Sequence, residues 1–126
     1  MFREVTRVLS LLFMDDTSDN ILTEFQGCRY LPEWISTQLD SLGIVKPTPI
    51  QSKTLLPAFE GRDIIGAAQT GQGKTLCFAL PIISALAKDP GAFKALILTP
   101  TRELALQIAE QCNALGASQG IRTICL

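Results

Sequence analysis

The octapeptide Ala68-Gln69-Thr70-Gly71-Gln72-Gly73-Lys74-Thr75 constrains this 126-residue chain more than any other stretch. A short apolar run, Asp63 to Ala67, precedes it, and a longer one, Lys74 to Ala87, follows. It fits the phosphate-loop pattern GxxxxGK[ST], except that Ala68 stands at the first glycine. The chemistry accounts for the spacing. Gly71 and Gly73 admit backbone angles closed to other residues, so successive N–H groups can turn toward one point. The positive end of a helix starting at Lys74 faces the same point. Lys74 brings a point charge to the β- and γ-phosphates, and the Thr75 hydroxyl completes the shell of a Mg²⁺ ion. The bland alternative is a glycine-rich turn with an exposed lysine. A strand before and a helix after are the context that the phosphate loop requires. The loop alone implies that residues 68–75 bind a nucleoside triphosphate; it does not say which reaction follows.

The periodicity around the loop predicts an α/β fold. Asp63–Ala67, Ala95–Thr99 and Ile121–Leu126 read as strands buried on both faces, the last of them only begun where the chain stops. Lys74–Ala87 reads as a buried helix kinked at Pro81. Thr101–Leu115 reads as a helix with Leu104, Ile108, Cys112 and Leu115 on one face, closed by Gly116. Alternating strands and helices with buried strands imply a parallel sheet. Upstream, Pro32–Leu42 carries apolar residues at helical spacing and ends at Gly43, and a short helix follows from Pro49 to Phe59. Residues 15–24 are polar and read as a linker.

Composition narrows the classes. Hydrophobic residues make up 47% of the chain and charged residues 18%, below the roughly 25% of an average soluble domain. The chain is therefore no disordered linker, and a net charge of −1 excludes a long basic or acidic tail. Residues 1–61 hold 5 basic and 8 acidic residues, and residues 62–126 hold 6 and 4, so an anion site belongs in the second part. Cysteines at 28, 77, 112 and 125 form no CxxC pair, and there is no histidine, so neither a disulfide partner nor a zinc site is expected. That cysteine usage favours a reducing, intracellular compartment. The apolar stretch Val8–Met14 is far short of the ~20 residues that span a bilayer.

Two further segments admit two readings each. In Thr48-Pro49-Ile50-Gln51, Thr48 can cap the helix, Pro49 take its first position and Gln51 close a capping box. Spacing alone prefers that reading, but a Gln51 carboxamide can also donate to and accept from one edge of adenine. In Thr99-Pro100-Thr101-Arg102-Glu103-Leu104, Thr99 reads as a cap and Pro100 as the first helical residue. The helix is then either a solvated Arg–Glu surface, or its N-terminus, Thr101 and Arg102 meet a nucleic-acid phosphate.

Taken together, three segments resemble the DEAD-box family of ATP-dependent RNA helicases. Pro47-Thr48-Pro49-Ile50-Gln51, with Phe25 upstream, is similar to the family's Q motif. Ala68–Thr75 resembles motif I, whose family form begins with alanine. Pro100-Thr101-Arg102-Glu103-Leu104 resembles motif Ia. The resemblance runs from about Phe25 to Leu126, with its nearest likeness to the subgroup acting in ribosomal-RNA maturation. It implies that Phe25 stacks on adenine, that Gln51 reads the adenine edge, and that Ala68–Thr75 hold the phosphates with Mg²⁺ on Thr75. It also implies that Pro100, Thr101 and Arg102 touch an RNA backbone without regard to sequence. The implied fold is a partial RecA-like P-loop domain with a parallel sheet, preceded by a helical Q-motif segment. The expected organisation is an N-terminal extension at 1–22, the Q-motif segment at 23–61 and an incomplete RecA-like domain at 62–126. No Asp-Glu-Ala-Asp occurs in the sequence. The water-activating acids, a second RecA-like domain and the sheet neighbours of the motif I strand are expected in a longer parent chain, and these 126 residues alone are expected to be inactive. A nucleolar or nuclear place follows if the ribosomal subgroup holds, and a cytoplasmic one otherwise. The alternatives are a non-catalytic ATP- or RNA-binding fragment and an unrelated P-loop NTPase.

Overall fold

A computed structural model describes residues 21–126. The expectations placed on residues 1–20 lie outside that range. Four helices form the body: α1, Glu33–Ser41; α2, Pro49–Phe59; α3, Lys74–Lys88; and α4, Arg102–Gly116, which runs into a 3-10 turn at Ala117–Gln119.

Local chemistry sets the helix ends. Gly43 adopts φ 75° just past α1, and Gly120 adopts φ 68° after the 3-10 turn. α4 ends at Gly116 as expected, but Gly116 keeps right-handed angles at φ −94°, and the left-handed glycine stands at 120, after the 3-10 turn. At the other end of α4, Thr101 is the cap, not Thr99. Its hydroxyl accepts the Leu104 N–H at 3.2 Å, while the Thr99 hydroxyl donates to the Thr101 carbonyl at 2.8 Å. Pro100 consequently sits ahead of the helix. Pro81 lies within α3 without ending it.

One hydrophobic core joins all four helices. Ile35 and Leu39 of α1, Leu55 of α2, Leu80 and Ile83 of α3 and Leu115 of α4 are all at most 1% exposed. Each such side chain contributes roughly 1.5–3 kcal/mol by leaving water. The upstream and phosphate-loop parts thus share one core. α2 packs on α3, and Gln38 of α1 donates to the Ala114 carbonyl of α4 at 3.0 Å. Packing begins at Leu22, which is buried and donates its N–H to the Ser52 carbonyl at 3.0 Å.

The three expected strands depart from their sequence reading. Residues 63–67, 95–99 and 121–126 are non-helical, but no strand ladder pairs them among the described residues. Nor are they buried on both faces: Leu96 is 67% exposed, Leu98 86% and Ile124 64%. Ile97 and Ile121 pack against the core, so the second and third segments are covered on one side only. A cleft of about 570 Å³ lies between the first two segments. Ile64 and Gly66 of the first segment, Leu98 and Thr99 of the second, and Phe78 and Pro81 of α3 all line it. α3 likewise buries one stripe (Leu76, Ala79, Leu80, Ile83), and its cleft side remains open. Apolar runs of this kind need neighbours on both sides before they can be buried, and a strand needs a partner for its ladder.

All four cysteines are free thiols. Burial pushes the Cys112 thiol up from its ordinary value, against a smaller opposing effect of a hydrogen bond with Thr123. Less thiolate at neutral pH means slower alkylation. Cys112 is therefore expected to react with iodoacetamide after the half-buried Cys28 and Cys125, and to gain rate as pH rises. Mass spectrometry of timed digests checks this, and equal rates at all three positions would contradict it.

Candidate nucleotide site

The phosphate loop leaves the first extended segment and turns into α3. Gly71 and Gly73 adopt φ 85° and 74°, the left-handed region that favours glycine. The Gln72 N–H donates to the Gln69 carbonyl at 3.3 Å and closes the turn. α3 starts at Lys74 and runs 15 residues, so its first N–H groups have no partner within the helix and open at the loop. Lys74 is exposed, and its ammonium donates to the Ala68 carbonyl at 2.8 Å, bridging the loop's own mouth. Thr75 follows on the first turn and lines the cleft with Lys74.

The N-terminus of α2 stands against this loop. Both halves of the capping box form. The Gln51 N–H donates to the Thr48 hydroxyl at 3.5 Å, and the Thr48 N–H donates to Gln51 Oε1 at 3.0 Å. The same two side chains also reach the loop. Gln51 Nε2 donates to the Gly73 carbonyl at 2.9 Å, and Thr48 Oγ1 donates to the Gln72 carbonyl at 2.7 Å. Gln51 is 2% exposed, and its carboxamide is turned onto the loop. One N–H and one lone pair remain on it for another partner.

Phe25 sits elsewhere. Its ring is 1% exposed within the core cluster that includes Leu31, Ile35 and Leu39, and its carbonyl accepts from the Ser36 hydroxyl at 3.4 Å. No face of the ring is open to a base in this structure. The stacked aromatic pair is instead Tyr30 and Phe59, with centroids 5.7 Å apart and the Arg29 guanidinium 4.7 Å from the Tyr30 centroid. Pairing of residues 29 apart in sequence left no local signal of that stack.

The cleft gathers Lys74, Thr75, Thr99 and Pro100 along one opening. Thr101 and Arg102 are exposed at the start of α4. The Thr48 hydroxyl was legible only as a cap; its second bond, to a loop 24 residues away, is tertiary information. Cys77 also lines the cleft, one turn beyond Gly73, and burial raises its thiol pKa.

Comparison with known proteins decides the family. The model for the DEAD/DEAH box helicase family matches residues 48–126. The chain belongs to the DEAD/DEAH box helicase family. It is 45% identical over 113 residues to "ATP-dependent rRNA helicase RRP3" of Debaryomyces hansenii, covering 90% of this chain and 24% of that one. It is 50% identical over 100 residues to "DEAD-box ATP-dependent RNA helicase 36" of Arabidopsis thaliana, covering 79% and 20%. The chain thus spans about a quarter or less of these relatives. Among solved structures, a DEAD box protein from Methanococcus jannaschii superposes with TM-score 0.69 at 36% identity, covering 76% of this chain and 26% of that one. The yeast DEAD-box splicing factor Prp28 gives 0.72 at 30% identity, covering 86% and 27%. The fold class is therefore that of the DEAD-box RecA-like domain, and the DEAD-box chain described here holds its N-terminal portion.

Proposed function

We propose that this DEAD-box chain is the ATP-binding N-terminal portion of an ATP-dependent RNA helicase, whose parent couples ATP hydrolysis to local separation of RNA duplexes. The observation that carries the reading is the phosphate loop, with two left-handed glycines leading into a 15-residue helix headed by Lys74 and Thr75. Residues 68–75 bind the phosphates. On binding, Lys74 exchanges the Ala68 carbonyl for a phosphate oxygen, a stronger charge-assisted partner. Thr75 offers the one hydroxyl at this helix start suited to Mg²⁺, which would neutralise phosphate charge there. Gln51 lies beside the loop and keeps a donor and an acceptor for the adenine edge. Phe25 supports that segment from the core; stacking on adenine would require its ring to leave the core.

The proposed organisation is an extension over residues 1–22, a Q-motif segment over 23–61 and part of a RecA-like domain over 62–126, completed in the parent by a second such domain. The sequence holds no Asp-Glu-Ala-Asp, so we propose that these 126 residues bind ATP without hydrolysing it. Names such as "ATP-dependent rRNA helicase RRP3" support a role in ribosomal-RNA maturation and hence a nucleolar place. No helix among the described residues is long and apolar enough to cross a membrane.

Photolabelling with 8-azido-ATP tests the reading. Labelling that unlabelled ATP competes away and GTP does not is expected; labelling insensitive to ATP would overturn it. Pro100, Thr101 and Arg102 are proposed to meet RNA phosphates. Arg102→Ala is expected to weaken single-stranded RNA binding about threefold or more, equally for every sequence, and to flatten its salt dependence. Filter binding at several salt concentrations checks this, and an unchanged salt slope would contradict it.

A further inference from the structure

We infer that Arg29, Tyr30 and Glu33 form a second contact for single-stranded RNA, one that takes a nucleobase rather than a phosphate. The inference rests on the RNA-binding reading above and uses none of the residues at the start of α4. It begins with how Arg29 is held. The guanidinium lies over the Tyr30 ring, 4.7 Å from its centroid, and donates to the Tyr30 hydroxyl at 2.7 Å. Tyr30 in turn stacks on Phe59 of α2 with the ring planes 3° apart, and Phe59 packs against the core. A flexible arginine is thereby fixed as an exposed step on a ladder anchored in the fold. Ion pairs among the described residues join Arg62 to Glu60 and Lys94 to Asp89, and Arg29 takes part in neither. Its charge is held by a ring and a phenol, and its remaining N–H groups are left for a ligand.

The surroundings decide which ligand fits. Arg29 and Glu33 line one cleft of about 440 Å³, together with Gly27, Leu31 and Ser36. Glu33 opens α1 and is exposed. The cleft thus offers a planar donor and a carboxylate acceptor. A run of phosphates or of acidic side chains would be drawn by Arg29 and repelled by Glu33. A nucleobase satisfies both groups. It stacks on a guanidinium plane as it does on an aromatic ring, and its ring acceptors take arginine N–H groups. An exocyclic amino group then donates to the carboxylate. Cytosine carries such an amino group, and uracil has a carbonyl in its place, so the cleft prefers cytosine. Those base edges are open in a single strand and paired in a duplex, which restricts the contact to unpaired RNA.

Fluorescence anisotropy of labelled oligo-C and oligo-U strands with the 126-residue chain tests the contact, with Tm recorded for each variant. The unsubstituted chain is expected to bind oligo-C about fivefold more tightly than oligo-U, and Glu33→Ala to erase that difference. Arg29→Ala is expected to weaken oligo-C about fivefold or more, the value of one stacked base. Arg29→Lys keeps the charge and loses the planar fork, so it should stay within about twofold of Arg29→Ala. Full oligo-C affinity in either Arg29 variant would overturn the inference. A cytosine preference that survives Glu33→Ala would overturn it too, as would polyglutamate that displaces the labelled strand as well as unlabelled oligo-C does. Binding that depends on Arg102 and is untouched at Arg29 would sink the inference and leave the earlier RNA reading intact. No RNA binding by the folded, unsubstituted chain would overturn both.

Discussion

Gly73→Ala is expected to cut ATP affinity by at least about thirtyfold, the largest effect of any single loop substitution. Two costs combine. A non-glycine residue at φ 74° carries strain of roughly 1–2 kcal/mol. A Cβ at Gly73 would also lie 2.3 Å from Gln51 Nε2 and 3.5 Å from Thr48 Cγ2. The contacted atom ends a flexible side chain, but that chain is fixed at both ends by the Gly73 carbonyl and the Thr48 N–H. Moving it away gives up bonds worth about 0.5–1.5 kcal/mol each. The sum is about 2–5 kcal/mol, and the loop escapes it by leaving the conformation that presents its N–H groups. Gly71→Ala is the control: its φ is 85°, yet a Cβ there meets nothing within 4 Å. It carries the strain alone and should weaken ATP less, by about five- to thirtyfold. Equal losses from the two substitutions in parallel titrations would contradict the packing of Gln51 against Gly73.

Phe25→Ala is expected to destabilise the fold by about 3–5 kcal/mol, enough to unfold many domains of this size. The ring is 1% exposed and sits in the core between the segment before α1 and α1 itself, so its loss opens a cavity that the neighbours fill only partly. Phe25→Leu separates this role from stacking on adenine. Leucine keeps most of the buried volume but offers no aromatic face. Urea unfolding and ATP titration of that variant should show a modest stability loss and ATP affinity within about twofold of the original. Undiminished stability together with a tenfold loss of ATP affinity would place the ring on the base and not in the core.

The parts of the fold governed by neighbours in sequence were legible. The limits of α2 follow from Thr48, Pro49 and Gln51, and the start of α3 from Gly73 and Lys74, because caps and left-handed glycines act over three or four residues. The phosphate loop was legible for the same reason. The cap of α4 was misplaced by two residues: both Thr99 and Thr101 carry a capping hydroxyl, and only the bond from the Leu104 N–H to the Thr101 hydroxyl assigns the cap to Thr101. The burial of Leu96 and Leu98 was misjudged from hydropathy. An apolar run reports a demand for cover, and the helices described here meet that demand on one side only. The sealed position of Phe25 and the grip of Thr48 and Gln51 on the Gln72 and Gly73 carbonyls link positions about two dozen residues apart or depend on the whole core. No local pattern encodes them.

The central claim is that residues 68–75 bind the phosphates of ATP. Calorimetric titration of Mg–ATP into the folded 126-residue chain and its Lys74→Ala variant tests it most directly. One saturable site in the unsubstituted chain, weakened about ten- to a hundredfold by the loss of the lysine, is the predicted result. Binding that Lys74→Ala leaves unchanged, or no binding by the folded chain, would contradict it.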